Sequence, residues 1–523
     1  MAGQPTFDST GAAKGRDFGD LPEWDLTDLY PAPDAPELRA DTDRLTAMVT
    51  DFAASYQGRL AGLSPAEMLA CIETYQQIDI IAGRIMSYAG LRYYQNTTDA
   101  ARAKMMSDLQ SRITEITTPL VFFSLEFNRI PDATYEAAFT ANDGPARYRP
   151  VFDRMRAMRP HQLSDELEQF LHDNSVVGAA AWNRLFDETT AGLTFDVNGE
   201  TLGMEAALNL LTDHDRPTRE AGARALAQVF GDNVKLFTRI HNTLAKEKAI
   251  EDKWRKMPTP QYGRHLSNHV EPEVVEALRN AVTAAYPRLS HRYYALKAKW
   301  LGLEKLQVWD RNAPLPTESP RTIRWDEARQ TVLDAYAGFS PKLAELAEPF
   351  FDKRWIDAAV TPGKAPGAFA HPTVTTVHPY VLLNYLGKPR DVMTLAHELG
   401  HGVHQRLAAG QGELLAATPL TLAETASVFG EMLTFRALLA KTTDPVQKKA
   451  LLAGKVEDMI NTVVRQIAFY DFECRLHAAR AEGELTPDDI NALWMSVQAE
   501  SLGPVFEFMP GYETFWTYVP HFV

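Results

Sequence analysis

Two cysteines, Cys71 and Cys474, are too few in 523 residues for a disulfide framework or a thiolate metal site, and both are expected as small buried hydrophobes. No uninterrupted apolar run approaches the ~20 residues needed to cross a bilayer. The N-terminal stretch MAGQPTFDSTGAAKGRDFGD has no apolar core of the kind a secretory signal requires. No membrane partner is expected, and the cytoplasm is the default compartment. Basic side chains are also in the minority, 53 against 68 acidic, for a formal charge of −15. That balance argues against a phosphate-backbone binder, which carries a basic footprint, so no nucleic-acid partner is expected. What remains is an ordinary globular composition, 45% hydrophobic and 23% charged, in a chain long enough for two or three domains.

Helical periodicity dominates from about residue 36 onward, and the fold class reads as mainly α. Met68, Ile72, Tyr75, Ile78, Ile81 and Ile85 step by three or four and define one apolar stripe. Ser64-Pro65-Ala66-Glu67 ahead of it is an N-cap signal with proline at the first helical position. Further helices are expected near Asp99, Ser164 and Pro217. The clearest strand signal is LTFDVNGETLG (193–203), where Leu193, Phe195 and Val197 alternate ahead of an Asn198-Gly199 turn. Residues 1–35 read as an ordered or semi-ordered lead-in, 36–200 as a helical N-terminal domain, and 201–523 as a second domain. Residues 361–387 form another non-helical stretch, ending in the strand-like Tyr380–Tyr385 segment.

The chemistry concentrates in PRDVMTLAHELGHGVHQRLAAG (389–410). With Asp391 as N-cap and Gly410 as stop, this reads as one helix. His397 and His401 lie one turn apart, so both imidazoles leave the same face and can share one Zn²⁺. Glu398 beside them can take a proton from water held at that metal. A third ligand decides whether the motif is meaningful. Leu407 stands where an extended HExxHxxGxxH motif needs histidine, which excludes that arrangement. A glutamate on a following helix is the alternative, the gluzincin arrangement. Glu424 suits it, lying 23 residues past His401 on a helix expected to open at Thr421. Glu413, in a loop, is a second possibility, and His404 a lesser one. Glu431 lies two turns past Glu424 on the same face and can hydrogen-bond a ligand histidine from behind.

Several stretches together resemble oligoendopeptidase F of the thimet-oligopeptidase family of zinc peptidases. They are LPEWDLTDLY (21–30), GAF (367–369), HPYVLLNY (378–385), DVMTLAHELGHGVHQ (391–405) and LAETASVFGEML (422–433). The resemblance implies a two-lobed helical ellipsoid with a deep channel and a small β-sheet beside the metal helix. It implies one zinc ion on His397, His401 and Glu424, with Glu398 as general base. It also implies that Gly367, Ala368 and Phe369 form an edge strand pairing with an extended peptide substrate. His521, in Pro520-His521-Phe522, matches a family histidine and is the expected donor to the oxyanion.

In the family that histidine precedes a tyrosine-bearing segment, whereas here Val523 follows Phe522. The catalytic part is therefore expected to be shortened, with apolar surface near Phe515, Trp516 and Phe522 uncovered and turnover reduced. The expected activity is zinc-dependent cleavage of short unstructured oligopeptides. A weakly active or inactive zinc-bearing peptide binder, or a zinc hydrolase acting on other amides or esters, are the competing classes. Oligomeric state and cleavage preference are not legible.

Overall fold

The computed structural model describes residues 17–142, 144–174, 177–315, 322–361, 363–365 and 367–523. The part of the expected lead-in at 1–16 lies outside these residues. The protein is mainly α, as its periodicity predicts, with three small sheets among the described residues.

The chain forms two compact units, each built from two separate stretches. One takes Met1–Arg159 and Pro320–Lys441; the other takes Pro160–Ser319 and Thr442–Val523. The single boundary near residue 200 expected from the sequence does not coincide with this division. The hairpin that suggested it, Thr194–Val197 with Glu200–Gly203, lies inside the second unit.

In the first unit, the stripe helix runs Pro65–Gln95 and begins with a complete capping box between Ser64 and Glu67. Met68, Ile72, Ile78, Ile81 and Ile85 are buried on it, and Tyr75 stacks on Phe123 at 4.3 Å. The expected helix start at Asp99 is also present, its carboxylate accepting the N–H groups of Ala101 and Arg102. Leu21–Tyr30 is no mere lead-in: Trp24, Leu26, Leu29 and Tyr30 are buried in the core of this unit. Tyr380 donates its hydroxyl to the Asp25 carbonyl, and Trp24 packs edge-on against the Tyr380 ring. The N-terminal peptide thus braces a three-stranded sheet. Its middle strand is Tyr380–Leu382, flanked in parallel by Ile356–Asp357 and antiparallel by Phe369–His371.

The second unit is organised on helix Arg216–Arg255, with Pro445–Glu482 and Pro487–Leu502 packed against it. Asp215 caps the first of these, as the helix signal at Pro217 predicts. Its hairpin turns through Asn198 and Gly199, both at positive φ (56° and 86°), the type I′ geometry that Asn-Gly favours. Buried Asp310 holds both Arg216 and Arg219, tying the start of the long helix to the loop after strand 306–307.

The expectation of uncovered aromatics at the end of the chain is corrected here. Trp516 is 0% exposed, Phe515 4% and Phe522 9%. Phe515 meets Phe230 edge-on, Trp516 meets His241, and Phe522 packs on Phe472. The Trp516 indole N–H also finds Asn491 Oδ1 at 2.8 Å. This unit's own helices cover these rings. Of the two cysteines, Cys71 is fully buried, its thiol pushed up to about 12 by burial. Cys474 is only partly buried and accepts a hydrogen bond from Gln261.

Candidate metal centre

The histidine helix spans Pro389–Ala408. Asp391 is not its N-cap: Lys388 holds that position, and the Asp391 carboxylate reaches back to the N–H groups of Leu386 and Lys388. Pro389 at the first helical position makes this the better start, because a missing N–H costs nothing there. The helix ends in a 3₁₀ turn through Gln411, and the chain reverses at Gly412, with φ of +87°, rather than at Gly410. The second helix begins at Leu420, one residue before the expected cap Thr421, and runs to Lys441.

These two helices touch along glycine. A methyl group on Gly400 would lie 2.6 Å from the Ala426 carbonyl oxygen and 2.8 Å from Ser427 Cα. On the facing helix, one on Gly430 would lie 2.9 Å from the Ala396 carbonyl oxygen and closer still to the Tyr336 hydroxyl. That hydroxyl donates to the Ala396 carbonyl at 2.5 Å, locking the turn that carries His397. Backbone contact of this kind brings Glu424 to the histidines. Gly400→Ala must spread the helices, and overpacking of this sort typically destabilises by ~1–3 kcal/mol. The expected outcome is a lower melting temperature together with weaker zinc retention, measured by calorimetry and by competition with a chelating dye.

At the site, Glu424 Oε2 lies 3.1 Å from His397 Nε2 and 3.5 Å from His401 Nε2. One donor atom from each of the three residues falls within 4.8 Å of the others. Tetrahedral zinc with bonds of about 2.0–2.2 Å places its ligand atoms about 3.3 Å apart, so this donor set fits the ion. Glu424 is steadied by Ser427, whose hydroxyl donates to Oε2 at 2.7 Å. His397 Nδ1 lies 3.1 Å from Glu431 Oε2, the contact expected of a carboxylate that orients a ligand imidazole. Glu413, the alternative ligand, is engaged elsewhere: its Oε2 accepts the N–H and hydroxyl of Thr375. His404 is not part of the cluster.

Electrostatics at the centre follow from crowding. Glu398 is 7% exposed and makes no hydrogen bond among the described residues. Burial pushes its carboxyl up to about 7, with the Glu424 carboxylate adding to the rise and His397 opposing it. Burial works against protonating His397, but the bond to Glu431 and the nearby carboxylates of Glu398 and Glu424 outweigh it. Burial lowers His401, and His397 and His404 push the same way against Glu424.

The sheet supplies a second feature. Val381 and Leu383 send their N–H groups to Trp355 and Asp357, on the parallel side. Tyr380 and Leu382 therefore face Phe369–His371, and in the register Phe369↔Leu382 and His371↔Tyr380 the backbone of Ala370 points out of the open edge. Gln405, one turn past His401 on the histidine helix, donates Nε2 to the Ala370 carbonyl at 3.2 Å. Gly367 and Ala368, expected in the strand, precede it; Gly367 takes φ of +78° and its carbonyl accepts from Asn384. Gln405 was missed in the sequence because its role is visible only once helix and strand are neighbours. His521 belongs to the second unit, exposed, with its ring 6.0 Å from that of Phe469.

A mainly helical chain with an HExxH helix and a glutamate from the next helix has the make-up of a gluzincin metallopeptidase. Comparison with known proteins agrees. The profile of peptidase family M3 matches residues 209–518, and that described as oligopeptidase F matches 126–195. The chain belongs to peptidase family M3, and it is a metalloendopeptidase. It is 25% identical to group B oligopeptidase PepB of Streptococcus agalactiae, over 96% of this chain and 83% of that one. Identity to oligopeptidase PepF of Bacillus subtilis is also 25%, over 95% of this chain and 75% of that one. The crystal structure of oligoendopeptidase-F from Enterococcus faecium shares the fold, with a TM-score of 0.69 at 22% identity over 93% of this chain and 83% of that chain.

Proposed function

We propose that the protein is a zinc-dependent oligopeptidase that hydrolyses short, unstructured peptides. The observation that carries this reading is the convergence of His397, His401 and Glu424 on one ion-sized point beside the unengaged Glu398. His397, His401 and Glu424 would hold the metal, with Glu431 fixing the His397 ring. Two imidazoles and one carboxylate are a donor set that suits zinc. Bound zinc supplies a Lewis acid that polarises a carbonyl and lowers the pKa of a ligated water to about 7. Glu398 takes a proton from the attacking water and returns it to the leaving amine. The open edge of Phe369–His371, with Gly367 and Ala368 leading into it, accepts the peptide as an added strand, a mode that selects extended substrates. His521 is assigned the oxyanion, as the family resemblance implies. Incubation with an oligopeptide mixture and with folded proteins, read by mass spectrometry, tests the substrate class. Internal cleavage of the peptides alone is expected; cleavage of folded proteins, or of none, would refute it.

Gln405 joins the metal helix to that edge and should set the register between peptide and metal. Gln405→Leu keeps the bulk but releases the Ala370 carbonyl. Zinc content should be unchanged while kcat/KM falls ~10-fold, as expected for one lost polar contact, and the mapped cleavage sites spread. An unaltered cleavage map would remove Gln405 from this role.

A further inference from the structure

Outside the metal centre, the second unit contains a small cavity whose polar lining includes two arginines. Its walls include Arg311, Arg465, Tyr294, Asn461 and Gln498, with apolar side chains between them and no aspartate or glutamate. The Arg311 guanidinium makes no hydrogen bond or ion pair among the described residues. Arg465 reaches the Tyr518 hydroxyl through Nη2 at 3.2 Å and lies over the Phe469 ring, but its Nε is buried with no partner. Gln498 is 3% exposed and spends its Oε1 on the Tyr512 hydroxyl, which leaves its amide nitrogen for the cavity. The Tyr294 hydroxyl is likewise unshared among the described residues, on a side chain 1% exposed. The nearby carboxylate of Glu457 is already taken by Tyr293 at 2.7 Å and Lys297 at 2.5 Å.

Two permanent cations facing one partly enclosed space, neither paired with a carboxylate, repel each other and have shed part of their hydration. A water molecule could satisfy donors there but would leave Arg465 without a paired carboxylate and Arg311 with only the Glu457 carboxylate nearby, itself shared with Lys297. A single anion satisfies the donors and compensates the charge, and guanidinium groups with amide and hydroxyl donors are the usual anion-binding set. Because the chain as a whole is strongly acidic, at −15, this attraction is local to the cavity rather than a consequence of net charge. The volume is about 10 Å³, room for one water-sized centre, which excludes a phosphoester or a larger organic anion.

We propose that Arg311 and Arg465 form a binding site for one monatomic monovalent anion, of the size of chloride. The site stands apart from the assignment of the metal centre and does not depend on it. The test is ³⁵Cl NMR line broadening on the full chain, titrated with sodium chloride at ionic strength held constant with gluconate. Saturable excess broadening is expected, reduced at least ~10-fold in apparent affinity by Arg311→Met and by Arg465→Met, each checked for folding by circular dichroism. Arg239→Met, which removes an exposed arginine of the same unit, should leave it unchanged. Arg311→Lys retains charge without the planar fork and should give intermediate broadening, which keeps the test open where the methionine variant fails to fold. Formate, too large for a water-sized space, should leave the broadening unchanged; displacement of chloride by formate would overturn the assignment to a monatomic anion. Absence of saturable broadening, or broadening equal in wild type and the folded Arg311 and Arg465 variants, would overturn the proposal.

Discussion

Replacing Glu398 with glutamine should leave zinc in place and abolish nearly all turnover. The carboxamide has the same shape, so the packing around a side chain only 7% exposed is kept. What is lost is the ability to accept a proton, because an amide oxygen is far too weak a base to take one from water. General acid–base groups contribute typically 10²–10⁴-fold, and in the proposed reaction one carboxyl would serve both halves of the proton transfer, so a fall of ~10³-fold or more in kcat is expected. Peptide turnover and metal content measured on the same preparation check this. Zinc lost along with activity would make Glu398 a ligand rather than a base.

Glu424→Ala should do the reverse, emptying the site. It removes one of three converging donors and also the acceptor that Ser427 holds in place. Disturbing a group behind a metal ligand typically weakens metal affinity or activity by ~10–100-fold, so loss of a ligand itself should exceed 100-fold. Glu413→Ala is the matched control, since Glu413 is committed to Thr375, and Glu431→Gln should fall between the two. Equilibrium competition against a chromophoric chelator resolves all three. Should Glu413→Ala release zinc while Glu424→Ala holds it, the third ligand is Glu413 rather than Glu424.

Much of this centre was legible because its signals are local. One helical turn separates His397 from His401, and Leu407 excludes the competing motif without reference to any other part of the chain. The capping boxes and the Asn198-Gly199 hairpin are likewise written in a few adjacent residues. What the sequence concealed depends on contacts between distant segments. Gly400 and Gly430 look like poor helix formers until each is seen to admit the opposite backbone. Leu21–Tyr30 reads as part of a lead-in, yet its apolar side chains have a sheet to brace. Asp391 was displaced from the cap because Pro389 suits the first helical position, which puts Asp391 at the third. The aromatics Phe515, Trp516 and Phe522 were expected to be uncovered from the family pattern alone, whereas their partners lie on helix Arg216–Arg255 and on Phe472, far away along the chain. The division into units eluded a linear reading for the same reason, as each unit is assembled from two separated stretches.

The central claim is that one metal ion, held by His397, His401 and Glu424, supports peptide hydrolysis. Its most direct test is elemental analysis of the purified chain alongside cleavage of a quenched peptide, before chelation, after it, and after return of zinc. About one zinc ion per chain is expected, with cleavage lost on chelation and restored in proportion to zinc returned. Cleavage that persists in metal-free protein, or zinc that stays bound in Glu424→Ala, would contradict it.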